Sequence, residues 1–178
     1  MRQAGRYLPE FRKIRKKNKD FIKLCLNENL STKITLQPIK RFKFDAAIVF
    51  SDILMLPYGL GQEVTFKKNF GPELDKLNLN IISNTSEVEF SKKLNPIYKL
   101  ISKVSKDPML KNKDVIGFVG APWTILVYMI NKISPKKKLS ENSCQRQISY
   151  PTQSQSTALF RVNKIHLSTK PSYKYYMD

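Results

Sequence analysis

Residues 45–52 read Asp-Ala-Ala-Ile-Val-Phe-Ser-Asp, and residues 115–124 read Val-Ile-Gly-Phe-Val-Gly-Ala-Pro-Trp-Thr. In the first stretch, Ala46 to Phe50 is an unbroken apolar run. A run this short, rich in β-branched and aromatic residues, suits a strand buried on both faces of a parallel sheet. It stops at Ser51-Asp52. In the second stretch Val115–Val119 has the same character and leads into Gly120–Thr124, a strand-to-helix turn. The apolar residues Ile125–Ile133 that follow predict a helix. Between the two strands, Val88, Phe90, Leu94, Ile97, Leu100, Ile101 and Val104 recur at helical spacing, which predicts an amphipathic helix over 86–105. Strands alternating with helices place the chain in the α/β class with parallel pairing.

Upstream, residues 7–26 read as helical, with Pro9 at a helix start and Asp20 capping Phe21–Leu26. Asn27-Glu28-Asn29 breaks the pattern. Asn29 or Ser31 is expected to cap a further helix running to Phe42, with Pro38 bending its middle. Residues 57–72 hold Pro57, Gly59, Gly61, Gly71 and Pro72 and read as loop, with Val64–Phe66 a short strand.

After Lys138 the character changes. Residues 139–178 contain seven serines, four glutamines and no glycine, and all six glycines of the chain lie at or before Gly120. Two readings fit: a polar disordered tail, or sequence translated out of frame. The expected organisation is a folded domain over 1–138 and a distinct segment over 139–178.

With 178 residues and 41% hydrophobic content, the chain is long enough for one domain with a real core. No stretch approaches the about 18 consecutive apolar residues of a membrane helix. Met1–Glu10 carries two arginines but no apolar h-region, and Glu10 argues against a transit peptide. Cys25 and Cys144 lack metal-type spacing, and His166 is the single histidine, so no disulfide framework or multi-histidine metal site is expected. Reduced thiols fit a cytoplasmic location. The formal charge of +18 admits nucleic acid, a membrane surface or a polyanionic small molecule as partner. Its lysines are scattered along helical stretches, the pattern of solvated faces.

Three segments carry candidate chemistry. Arg2-Gln3-Ala4-Gly5-Arg6-Tyr7 sets two guanidiniums four residues apart around a glycine. Each guanidinium is a planar fork that matches a carboxylate, and Gly5 permits close backbone approach. A fraying basic terminus would read the same way. Asp52 directly follows a buried strand, where parallel α/β folds present binding and catalytic groups. Helix capping or a loop ion pair is as compatible with its spacing. Tyr128 follows Thr124 by one helical turn, offering either a pocket hydroxyl or a core aromatic.

MRQAGRYLPEFR at 1–12, TLQPIKRFKFDAAIVFSDIL at 35–54 and GFVGAPWTILVYM at 117–129 resemble the uroporphyrinogen decarboxylase family, segment after segment and in order. The first segment is the most specific. The resemblance covers about 1–138. It implies the N-terminal portion of a (β/α)8 TIM barrel, incomplete here because a whole barrel takes roughly 250 residues. It also implies a homodimer that uses no metal and no organic cofactor. The implied reaction removes carbon dioxide from the four acetate side chains of uroporphyrinogen to give coproporphyrinogen, in haem and chlorophyll biosynthesis.

Carried over by position, Arg2 and Arg6 bind substrate carboxylates, Gln3, Ala4 and Gly5 line the same loop, and Arg2 is a candidate proton donor. Asp52 accepts from the pyrrole N–H groups at the macrocycle centre. Tyr128 bonds a substrate carboxylate. The family's further substrate-contacting serine and histidine belong to segments without a counterpart here, so His166 and the tail serines receive no role. The expectation is accordingly an inactive fragment or a misread frame of an active enzyme. Two alternatives stand beside it. One is a cobamide-linked methyltransferase of the same superfamily, which the arginine motif disfavours. The other is a lysine-rich nucleic-acid-binding module, which leaves the arginine loop and Asp52 unexplained.

Overall fold

The computed structural model describes residues 5–67 and 70–133. In chain order the elements are α1 (Pro9–Lys17), α2 (Phe21–Cys25), α3 (Glu28–Phe42), β1 (Ala46–Ile48), α4 (Met55–Gly59), β2 (Val64–Lys67), β3 (Gly71–Leu74), α5 (Leu79–Asn84), α6 (Glu87–Ser105), a 3-10 turn (Pro108–Leu110), β4 (Asp114–Ile116) and α7 (Pro122–Asn131). The described residues fall into two compact units, one of residues up to 53 with 92–119, the other of 54–91 with 120–133.

In the first unit β1 pairs in parallel with β4, Ala46 opposite Asp114, Ala47 opposite Val115 and Ile48 opposite Ile116. The ladder is flanked by Asp114 N–H to Asp45 C=O at 3.1 Å and Val49 N–H to Ile116 C=O at 2.9 Å. Leu36 and Ile39 of α3, Ala47 and Val49 at the strand, Leu100 and Val104 of α6, and Leu110 form one buried cluster, with Phe44, Ile101 and Val115 packed against it. Both strands expected from the sequence are present and parallel. The first covers Ala46–Ile48 rather than the whole run to Phe50, and the second is displaced, its ladder covering Asp114–Ile116 rather than Val115–Val119.

The stretch expected as helix over 7–26 is two helices. Arg15 turns its guanidinium back onto the Asn18 and Lys19 carbonyls, and the Asn18 amide donates to Ile14 C=O at 2.9 Å, closing α1. Asp20 then caps α2 as expected, accepting from Lys23 N–H at 3.0 Å. The cap of α3 is neither Asn29 nor Ser31 but Asn27, which accepts from Leu30 N–H at 3.0 Å. Ser31 lies inside the helix. Its buried hydroxyl donates to the carbonyls of Leu24 (2.8 Å) and Cys25 (3.2 Å), satisfying the C-terminus of α2. Pro38 is accommodated inside α3, which runs through to Phe42.

The second unit corrects the loop reading of 57–72. Its first residues complete α4, and Val64–Lys67 pairs antiparallel with Gly71–Leu74 in a hairpin. Gly71 holds φ +84°, a conformation that side-chain-bearing residues rarely adopt. A further helix, α5, was not foreseen; Asn78 caps it by accepting from Asn80 and Ile81 N–H. Gln62 ties the unit together, its amide donating to Asp75 C=O at 2.7 Å and Met129 C=O at 3.0 Å. α7 starts at Pro122 rather than Ile125, since proline at the first helical position costs no hydrogen bond. Residues 139–178 lie outside the described residues, as does the boundary expected at 138. Among the described residues no helix is long and apolar enough to cross a membrane.

One buried hydroxyl joins α3 to the end of β1. Thr35 Oγ1 donates to Ser31 C=O at 2.8 Å and accepts from Phe50 N–H at 2.9 Å. Replacing Thr35 by Val keeps the shape but orphans the buried Phe50 N–H, and is expected to cost about 1–3 kcal/mol in denaturant unfolding. Thr35→Ser, which keeps the hydroxyl, should lose clearly less.

Candidate active site

Because β1 and β4 are parallel, their C-terminal ends lie on the same side of the first unit. β1 delivers Phe50, Ser51 and Asp52 there. The chain after β4 delivers Phe118, which is exposed. A small cleft of about 40 Å³ opens at this edge, bordered by Arg6, Ile34, Thr35, Ile48, Phe50, Ser51 and Phe118.

Arg6 reaches the cleft through a turn. Gly5 holds φ +60° and is buried, and its carbonyl accepts from Leu8 N–H at 2.9 Å just before α1 begins at Pro9. The Arg6 guanidinium stands 3.9 Å from Asp52 Oδ2, with the arginine side chain 54% exposed and the aspartate 16%. At that length and exposure the pair adds less than about 1 kcal/mol to stability, so it is better understood as two charges held near each other than as a structural bond.

An aromatic group lies beneath them. Phe50 meets Phe11 at 5.8 Å and Phe21 edge-on at 5.9 Å between ring centroids. The Arg6 guanidinium carbon lies 5.1 Å from the Phe21 centroid, and that of Arg15 lies 5.5 Å from the same ring. Arg15 was not singled out from the sequence; its only signal was a place in the basic end of α1.

Of the residues singled out from the sequence, the structure brings Arg6 and Asp52 together, with Gly5 in the turn that carries Arg6. Arg2, Gln3 and Ala4 lie outside the described residues. Tyr128 is on α7 in the second unit, partly buried. Cys25 is fully buried in the first unit. Burial foremost, then the Asp52 charge, pushes its thiol from 9.0 up to about 12, against the opposing pull of Arg6 and Arg15.

A family model described as Uroporphyrinogen decarboxylase (URO-D) matches residues 1–148. The chain belongs to the uroporphyrinogen decarboxylase family. It is 48% identical over 130 residues to the uroporphyrinogen decarboxylase of Rickettsia felis, covering 73% of this chain and 37% of that one. It is likewise 48% identical over 130 residues to that of Rickettsia canadensis, 73% of this chain and 38% of that one. The chain thus spans little more than a third of the length of these relatives. A methyltransferase from Methanosarcina mazei shares the fold with a TM-score of 0.58 at 12% identity, over 86% of this chain and 44% of that chain. That identity bears on fold alone. With the βαβ pairing, it agrees with an incomplete portion of a (β/α)8 barrel.

The raised Cys25 pKa makes the buried thiol a neutral group. Its contribution to stability is fully present below about pH 9 and is lost as pH rises toward about 12, because the unfolded chain releases the proton more readily. At pH 8 the thiol is therefore expected to resist iodoacetamide in the native state and to label once denaturant is added, as peptide mass mapping would read. Rapid native-state labelling of Cys25 would contradict its placement in the core.

Proposed function

We propose that this chain carries part of the substrate site of a uroporphyrinogen decarboxylase. The observation that carries the reading is the meeting of Arg6 with Asp52 at the C-terminal end of β1, in a chain of this family. Uroporphyrinogen bears eight carboxylates around a ring of four pyrrole N–H groups. It therefore calls for fixed cations at the rim of a site and an acceptor at its centre. Arg6, and Arg2 from the same loop, serve the rim, and Gln3, Ala4 and Gly5 line the approach. Asp52 serves the centre. Tyr128 donates its hydroxyl to a further carboxylate.

In the proposed reaction a pyrrole takes up a proton and becomes an electron sink. The C–C bond of its acetate breaks, carbon dioxide leaves, and the electron pair passes into the ring. The exocyclic carbon then takes a proton to become a methyl group, with Arg2 as the candidate donor, and the ring gives up the proton it gained. Asp52 favours the cationic ring over the neutral one. Its negative charge, only partly exposed, therefore stabilises the transition state more than the bound substrate. Four such cycles give coproporphyrinogen.

The test is binding of uroporphyrinogen to the 178-residue chain under anaerobic conditions, followed by ultrafiltration and porphyrin absorbance after oxidation. Arg6→Ala and Asp52→Asn should each weaken binding by roughly tenfold or more, the usual effect of removing one charged hydrogen-bonding partner. Binding equal to the parent's in both variants would remove this reading. Binding that instead follows only ionic strength, whatever the variant, would favour a general polyanion surface.

A further inference from the structure

We propose that Phe21 is a positioning residue for this site, its ring holding the Arg6 guanidinium, with Arg15 beside it, at the cleft edge within reach of Asp52. The inference rests on the substrate-site reading above. Arg6 is a long side chain, more than half exposed, whose ion pair among the described residues is with Asp52 at 3.9 Å. A single ion pair of that length does not hold a flexible arginine in one orientation. The second contact is the Phe21 ring, 5.1 Å from the guanidinium carbon and within the range at which a cation is drawn to an aromatic face.

The ring is itself held firmly. Phe21 is the first residue of α2, buried, directly after the Asp20 cap. Its edge-on contact with Phe50 ties it to the strand end. The Phe50 backbone is in turn bound by Thr35, and Asp52 follows two residues later. Ring and carboxylate therefore share one anchor, and an arginine resting on the ring keeps a set relation to Asp52. Arg15 lies 5.5 Å from the same centroid while its guanidinium also donates to the Asn18 and Lys19 carbonyls, so the ring carries two guanidiniums. An arginine already oriented loses less freedom when it closes its fork on a carboxylate. A phenylalanine that merely filled the core would act on stability and not through the arginines.

The experiment titrates uroporphyrin, the stable oxidised octacarboxylate, into the 178-residue chain by fluorescence. Phe21→Leu should weaken binding roughly two- to fivefold, the worth of one exposed cation–π contact. Phe21→Trp, with a stronger ring face, should restore or exceed the parent's affinity. In an Arg6→Ala, Arg15→Ala background, Phe21→Leu should have no further effect. An undiminished effect in that background, or Trp as weak as Leu, overturns the positioning role while leaving the site intact. If uroporphyrin fails to bind the parent, or Arg6→Ala leaves binding unchanged, the site reading falls and takes this inference with it. Should Phe21→Leu not fold, the Trp variant decides through the Arg6 side-chain N–H resonance. A shift with the change of ring supports the stack, and an unmoved resonance overturns it.

Discussion

The parallel pairing of Ala46–Ile48 with Asp114–Ile116 is the constraint on which the first unit depends. Two parallel neighbours cannot be joined by a tight turn, so the chain must leave and return. The return brings the later turns of α6 back, with Leu100 and Val104 closing over Ala47 and Val49, while α3 contributes Leu36 and Ile39 to the same cluster. Strand alternation turns Ala47 and Ile48 to opposite faces. Ala47 enters the cluster, Ile48 and Phe50 border the cleft, and Val49 does both.

The cleft edge is assembled by a short series of contacts that begins in α3. Thr35 holds the Phe50 backbone, the Phe50 ring meets Phe11 and Phe21, and Phe21 lies under two arginines. Thr35 is 2% exposed, so losing its hydroxyl would leave the Phe50 N–H without that partner in a buried setting. The arrangement sets Asp52 and Arg6 from positions 46 residues apart in the chain. Cys25, packed nearby, stays a neutral thiol because the same carboxylate and the same burial oppose its ionisation.

Much of this was legible in the residues, and the exceptions have definite causes. The strand at 46–48, its parallel partner and the helix 87–105 followed from run length and period, which are strong signals in long or uninterrupted segments. The short strand at 64–67 and the Asp20-capped α2 were also expected, but two other short helices were not. α4 and α5 have five and six residues, too few for a helical period to repeat, and are held by burial and by the Asn78 cap. Asn27, Asn29 and Ser31 are all capping residue types. Packing decided which one caps α3: the terminal carbonyls of α2 claim the Ser31 hydroxyl, and Lys103 of α6 donates to the Asn29 side-chain oxygen. The roles implied for Arg6 and Asp52 came from family resemblance, since two arginines near a terminus and an aspartate after a strand also fit structural uses.

The sequence by itself determined the fold class, the parallel order and the family, because hydrophobic period and ordered motifs are local properties of the chain. Tertiary structure alone decided that Arg6 stands beside Asp52 and that Arg15 joins it over Phe21. It likewise decided that Thr35 braces the strand end. Each of these is a contact between separate elements, set by how the helices pack around a strand pair, and no spacing rule along one element encodes it.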